Sequence, residues 1–196
     1  MTAKKLKLAI FISGRGSNLV SIIDACKAPD FPAEITLVLS NRPDVQGLKH
    51  AHDANIPTEV IDHKNYATRE DFEDEIQDKL ENHTLDLIIL AGFMRILTAS
   101  FVEKWPDQIL NIHPSLLPDY KGLDTHKRAI DDGKTEAGCT VHFVTPDLDS
   151  GPIIAQRRVP ILGNDTPDTL AERVLIEEHK IYPEAIKILA QSIQEN

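Results

Sequence analysis

LKLAIFISGRGSN, residues 6–18, runs from an apolar stretch through a turn with two glycines into the start of a helical segment. Leu6–Ile12 carries one charge, Lys7, and otherwise holds leucine, isoleucine, alanine and phenylalanine. A short apolar run closed by a Gly-containing turn reads as a strand buried on both faces. The wider N-terminus, MTAKKLKLAIFISG, has the basic start of a signal peptide, but its apolar part is too short and leads directly into the turn. It is read as the first strand of a sheet.

Outward from this stretch the strand–turn–helix unit recurs. A helix is expected over Leu19–Lys27, then a strand in ITLVLS (35–40) and a helix over Gln46–Asn55. TEVID (58–62) and the helical spacing of TREDFEDEIQDKL (68–80) follow. Next come LDLIILAG (85–92), a short helix near Ala99–Lys104, and the strand QILNIH (108–113). Buried strands separated by helices predict an α/β fold: a Rossmann-like, mostly parallel sheet with helices on both faces. After residue 135 the pattern changes. GCTVHFV (138–144) and PIIAQRRVP (152–160), joined by TPDLDSG, predict a late antiparallel strand pair added to the sheet. A helix over about Thr166–Gln194 closes the chain, with Pro183 ending or kinking it midway. With no repeat, low-complexity segment or linker, residues 1–196 are expected to form a single domain.

The chain is 41% hydrophobic and 27% charged, as globular domains are. No apolar run approaches the roughly 20 residues of a membrane helix, so a cytoplasmic protein with no membrane partner is expected. Cys26 and Cys139 lie far apart, fit no metal-ligand spacing, and suit reduced cytosolic thiols. His50 and His52, two apart on a helix, face different ways, so no metal site is expected there. A net charge of −10 argues against non-specific nucleic-acid binding, which needs a basic face. An anionic substrate would have to be held locally, by a helix N-terminus or by placed Arg and Lys.

In such sheets ligands bind beyond the carboxyl ends of the strands, at a topological switch point. Three segments fall at such ends: SGRGSN (13–18), AGFMRIL (91–97) and NIHPSLLP (111–118). Gly14 and Gly16 permit positive φ, so the amides of Gly16, Ser17 and Asn18 can turn toward an anion. No GKS or GKT follows, the third Gly of the dinucleotide fingerprint is missing, and no acidic residue ends the second strand. A single phosphate fits better than a dinucleotide. Asn111 and His113, two apart on one strand, project to the same side. An amide and an imidazole together suit an acyl-transfer site, where donors stabilise an oxyanion. Asp149, in DLDSGPI, supplies a carboxylate that would favour an imidazolium. Neither Ser13 nor Ser115 sits in a G-x-S-x-G elbow, and neither cysteine has a papain-type context. The residues favour transfer to an external nucleophile over covalent catalysis.

SGRGSNL (13–19), LAGFMRIL (90–97), NIHPSLLPDYKG (111–122), HFVTPDLDSGPII (142–154) and EEHKIYP (177–183) occur in an order and spacing that closely resemble the folate-dependent phosphoribosylglycinamide formyltransferase family, from about residue 7 to 187. That resemblance implies transfer of a formyl group from the co-substrate 10-formyltetrahydrofolate to the amine of glycinamide ribonucleotide, in purine synthesis and without a metal. It implies that Asn111, His113 and Asp149 are catalytic. Gly16, Ser17 and Asn18 match the phosphate-holding segment and Glu178 the residue that bonds the ribose. For folate, the matching positions are Met94, Arg95, Ile96 and Leu97, with Arg69 as a further contact. Thr145, Pro146, Asp147, Leu148 and Asp149 form the loop expected to close over the pterin, beside Asn111.

Two positions depart from the family pattern. Leu175 stands where a polar or basic residue is common near the phosphate, and Arg15 is the candidate replacement. Lys121-Gly122 replaces a common Pro-Gly. Related enzymes share the constellation: methionyl-tRNA formyltransferase adds a nucleic-acid-binding domain, and formyltetrahydrofolate deformylase usually adds an N-terminal one. A deformylase-like hydrolase and a non-catalytic folate- or nucleotide-binding protein are the alternatives. The assembly is expected to be a monomer or a homodimer.

Overall fold

The computed structural model describes residues 4–194. Seven strands form one sheet in the order β3-β2-β1-β4-β5-β6-β7. They are β1 (Leu6–Ile12), β2 (Ala33–Ser40), β3 (Thr58–Val60), β4 (Leu87–Leu90), β5 (Ile109–His113), β6 (Glu136–Phe143) and β7 (Ile153–Pro160). β1 to β5 pair in parallel, while β6 is antiparallel to both β5 and β7. Among the described residues six α-helices accompany them: α1 (Ser17–Cys26), α2 (Gln46–Asp53), α3 (Arg69–Glu81), α4 (Ala99–Lys104), α5 (Thr125–Asp131) and α6 (Pro167–Gln194).

Side-chain alternation along β1 builds the two core layers. Leu6, Leu8, Ile10 and Ile12 pack with Leu19 and Ile22 of α1 and with Leu170, Val174 and Ile181 of α6. Ala9 and Phe11 point the other way, toward Phe72 and Ile76 of α3 and Phe101 of α4. This two-sided burial explains the unbroken apolar run, because neither face of the strand meets water.

The chain reverses its direction of travel across the sheet at β1, with β2 on one side and β4 on the other. The loops after β1, β4 and β5 therefore meet at one edge, at the switch point expected from the sequence. One expectation fails. Pro183 neither ends nor interrupts α6, which continues through it to Gln194. A mid-helix proline costs about 3 kcal/mol. Burial of Ile181, Tyr182, Ala185 and Ile186 around it offsets that, since one large apolar side chain contributes about 1.5–3 kcal/mol. Tyr182 also shares its hydroxyl proton between the carbonyls of Leu90 (2.9 Å) and Leu110 (3.2 Å), tying the helix to β4 and β5. Of the two glycines in the turn after β1, Gly16 alone uses a positive φ, at 75°. Among the described residues no helix is long and apolar enough to cross a membrane.

Candidate active site

β5 presents Asn111 and His113 to one cavity of about 500 Å³, while the alternating Leu110 and Ile112 enter the core beneath α1 and α6. The His113 ring is fixed by its Nε2–H, which donates to the Tyr120 carbonyl at 2.9 Å. A carbonyl only accepts, so Nε2 keeps its proton and Nδ1 is the nitrogen left to the site. Nδ1 lies 3.4 Å from Asp149 Oδ2, with both side chains 7% exposed. That separation exceeds the roughly 2.7–2.9 Å of a tight charge-assisted bond. Nδ1 is therefore not locked to Asp149 and stays available to a group arriving in the cavity.

The prolines around Ser115 do not fix this loop alone. Thr140 of β6 donates its hydroxyl to the Ser115 carbonyl (2.7 Å) and accepts the Leu117 N–H (3.1 Å). Gln156 of β7 donates to the Leu117 carbonyl at 2.8 Å. The loop thus arrives at Tyr120 in one place, and Tyr120 sets the imidazole. Asp149 is held just as firmly. Its Oδ2 accepts the Gly122 N–H at 2.8 Å, and its backbone is left-handed at φ 46°, which costs roughly 1–2 kcal/mol for a residue with a Cβ. Gly151 lets the loop close directly on β6, because a Cβ there would lie 1.9 Å from the Phe143 carbonyl oxygen.

His142, directly opposite Asn111 across the β5–β6 pair, is the residue the sequence reading missed. Its Nδ1–H donates to the Phe143 carbonyl at 2.8 Å, and Nε2 lies 3.3 Å from Asn111 Nδ2. Burial lowers its pKa below the ordinary histidine value, with the Phe143 hydrogen bond and the Asp149 charge opposing. The neutral ring then carries a lone pair on Nε2, which accepts one Asn111 N–H and fixes which end of the amide faces the cavity. The other Asn111 N–H is left facing the cavity. The signal was cross-strand register, invisible until β5 and β6 are paired.

Burial likewise lowers the pKa of His126 and His179. Each of the three binds its proton more readily unfolded than folded. Their contribution to stability is complete above the ordinary histidine range, near pH 6.5, and is lost as pH falls toward their folded values. A thermal melting series from pH 7.5 to 5.5 should show Tm falling with acid, and substituting His142 with Gln should flatten part of that slope.

At the other end of the site, the turn after β1 delivers Gly16 as the N-cap of α1. A Cβ on Gly16 would meet the Gly47 Cα at 2.7 Å, so the turn packs against the start of α2 and admits no side chain. Arg15 is exposed and lines, with Ser17, a neighbouring groove of about 480 Å³. Asn18 and Glu178 are both 8% exposed, and Asn18 Nδ2 donates to Glu178 Oε2 at 2.8 Å. Asn18 Oδ1 is buried with no partner. Burial raises the Glu178 pKa above the carboxylate norm, and the Asn18 hydrogen bond only partly opposes this. At neutral pH the ionised carboxylate is a cost to the fold that grows as pH rises through the carboxylate range. Glu178→Gln should therefore raise Tm by a few degrees, read by calorimetry at pH 7. It should also weaken binding of a ribose-bearing ligand.

The segment after β4 forms another wall of the cavity. Met94 and Ile96 are 66% and 59% exposed, Leu97 is buried, and Arg95 has a buried Nε with no partner. Among the described residues, no backbone partner satisfies the amides or carbonyls of Arg95, Ile96 and Leu97. A row of unpaired backbone groups along a mainly apolar cavity is suited to the polar edge of a flat heterocycle. Thr145, Pro146 and Leu148 complete the lining, whereas Asp147 is exposed outside it. Arg69 is exposed at the start of α3 and does not line the cavity.

The family model for formyl transferases matches residues 6–186. A phosphoribosylglycinamide formyltransferase of Haemophilus influenzae is 47% identical over 181 residues, covering 92% of this chain and 85% of that protein. The trifunctional purine biosynthetic protein adenosine-3 of Homo sapiens is 50% identical over 187 residues. The match takes in 95% of this chain but 18% of that protein's length. In three dimensions, the crystal structure of phosphoribosylglycinamide formyltransferase from Brucella melitensis superposes with a TM-score of 0.91 at 49% identity. That superposition covers 95% of this chain and 96% of the other.

Proposed function

The chain belongs to the formyl transferase family, and on that premise we propose that it transfers the formyl group of 10-formyltetrahydrofolate to the amine of glycinamide ribonucleotide, a step of purine biosynthesis. The observation that carries this reading is the pairing of two unlike half-sites at one sheet edge. One is a helix N-terminus with a buried Asn18–Glu178 pair; the other is a mainly apolar cavity with unpaired backbone groups. Asn111, His113 and Asp149 line that cavity.

The phosphate is assigned to the amides of Gly16, Ser17 and Asn18, where the helix dipole favours negative charge despite the net −10. The ribose hydroxyls go to Glu178. The pterin edge goes to the backbone of Arg95 to Leu97, under the loop 145–149. The neutral amine attacks the formyl carbon and a C–N bond forms. The carbonyl oxygen becomes an oxyanion, received by the free Asn111 N–H and the His113 Nδ1–H. Asp149 keeps the proton on Nδ1. As the tetrahedral intermediate collapses, the bond from carbon to N10 breaks; the amine gives up one proton and N10 gains one.

Purified protein should release tetrahydrofolate from 10-formyltetrahydrofolate only when glycinamide ribonucleotide is present. No release with the acceptor would remove the assignment, and equal release without it would make the chain a hydrolase. An acceptor lacking the phosphate should show a KM raised by about 10², the worth of one or two charge-assisted hydrogen bonds.

A further inference from the structure

The ring-reading segment has its two ends fixed from outside the cavity. Ser13 and Asn41 follow directly on β1 and β2, and Met94 lies in the loop after β4; β1 is the strand between the other two. The Met94 N–H donates to Ser13 Oγ at 2.7 Å, and the Ser13 hydroxyl donates onward to Asn41 Oδ1 at 2.5 Å. Ser13 is 3% exposed and Asn41 is fully buried. A hydroxyl has one proton, so accepting from Met94 commits it to donating to Asn41. At the far end, Glu73 of α3 accepts the Thr98 N–H at 2.9 Å and the Thr98 hydroxyl on its second oxygen. Glu73 is 3% exposed, a buried carboxylate whose neighbours are those two donors. Neither Ser13 nor Glu73 lines the cavity. Between the pins lie the residues with unpaired backbone, Arg95 to Leu97.

We propose that Ser13 and Glu73 are positioning residues that set the shape of this segment and so the affinity for the folate ring. The proposal rests on the folate reading above. Hydrogen bonds to a ring edge depend steeply on distance and angle, so backbone groups meet them only when both ends of the segment are fixed. Ser13 also sits in the phosphate turn, so the same hydroxyl joins the two half-sites into one body. Loss of either pin leaves a buried polar group without its partner, and the segment relaxes to repair that.

The test is calorimetric binding of tetrahydrofolate to Ser13→Ala, Glu73→Ala, the double variant and Glu73→Gln, alongside steady-state kinetics and Tm. Each alanine variant should weaken tetrahydrofolate binding about tenfold. The double variant should lose less than the product of the two, because both act on one segment. Glu73→Gln, which offers Thr98 one acceptor and one donor, should bind nearly as the wild type. In the Glu73 variants, which stand away from the phosphate turn, kcat and the KM for the ribonucleotide should stay within about twofold. Unchanged binding in both alanine variants would overturn the proposal. So would a loss of the same size in every parameter together with Tm, which would mark general damage to the fold. If the wild type itself binds no tetrahydrofolate, the folate reading falls and the pins fall with it.

Discussion

Replacing Asp149 with asparagine is expected to lower kcat by about 10²–10³-fold while both substrates still bind. The effect follows from what surrounds His113. Its Nε2–H is committed to the Tyr120 carbonyl, so the ring's only adjustable nitrogen is Nδ1, and Asp149 Oδ2 is its neighbour at 3.4 Å. In the proposed reaction that carboxylate is the acceptor and counter-charge for a proton on Nδ1. An asparagine whose oxygen stays on the Gly122 N–H sets that same neutral oxygen beside Nδ1, and its NH₂ takes the Oδ1 position, 3.7 Å from His142 Nε2. The amide carries no net charge, so it no longer opposes positive charge on the ring as an oxyanion develops. Volume and loop closure are unchanged, so the KM for each substrate should move little. A kcat within threefold of wild type would remove Asp149 from the reaction.

Asn111→Ala is expected to cost a similar amount, about 10²–10³ in kcat, or roughly 3–4 kcal/mol of transition-state stabilisation. The amide is oriented before substrate arrives, because neutral His142 offers Nε2 as an acceptor and leaves one orientation satisfied. A donor fixed in advance costs no reorganisation as charge develops. Asn111→Asp should be worse than alanine above the carboxylate range, since it puts an anion where an oxyanion must form. Steady-state kinetics of the two variants at pH 7.5 check both statements. An aspartate variant faster than the alanine one would contradict the assigned polarity.

Much of this arrangement was legible in the residues, and the reasons differ by element. The apolar run 6–12 announced a strand covered on both faces, and the two core layers around β1 are that pattern made solid. The parity of Asn111 and His113 needed only the two-residue period of a strand. α5 was not anticipated. Thr125–Asp131 buries just Thr125 and Ala129, so it has almost no apolar stripe to read. Pro183 misled because its local cost is visible in sequence, while the packing that outweighs it is not. The sequence could not announce the groups that aim the side chains. The Tyr120 carbonyl and the Gly122 N–H are backbone atoms, and His142 depends on strand register. Ser13, Asn41 and Met94 meet only because β1 lies between β2 and β4.

In the proposed reaction carbon passes directly from the folate to an amine, with no release to water. Supplying 10-formyltetrahydrofolate labelled with carbon-13 in the formyl group, together with glycinamide ribonucleotide, tests it in one NMR measurement. The label is expected to appear as a formamide on the ribonucleotide, one for each tetrahydrofolate released. Label accumulating as free formate, at the same rate with or without the acceptor, would contradict it.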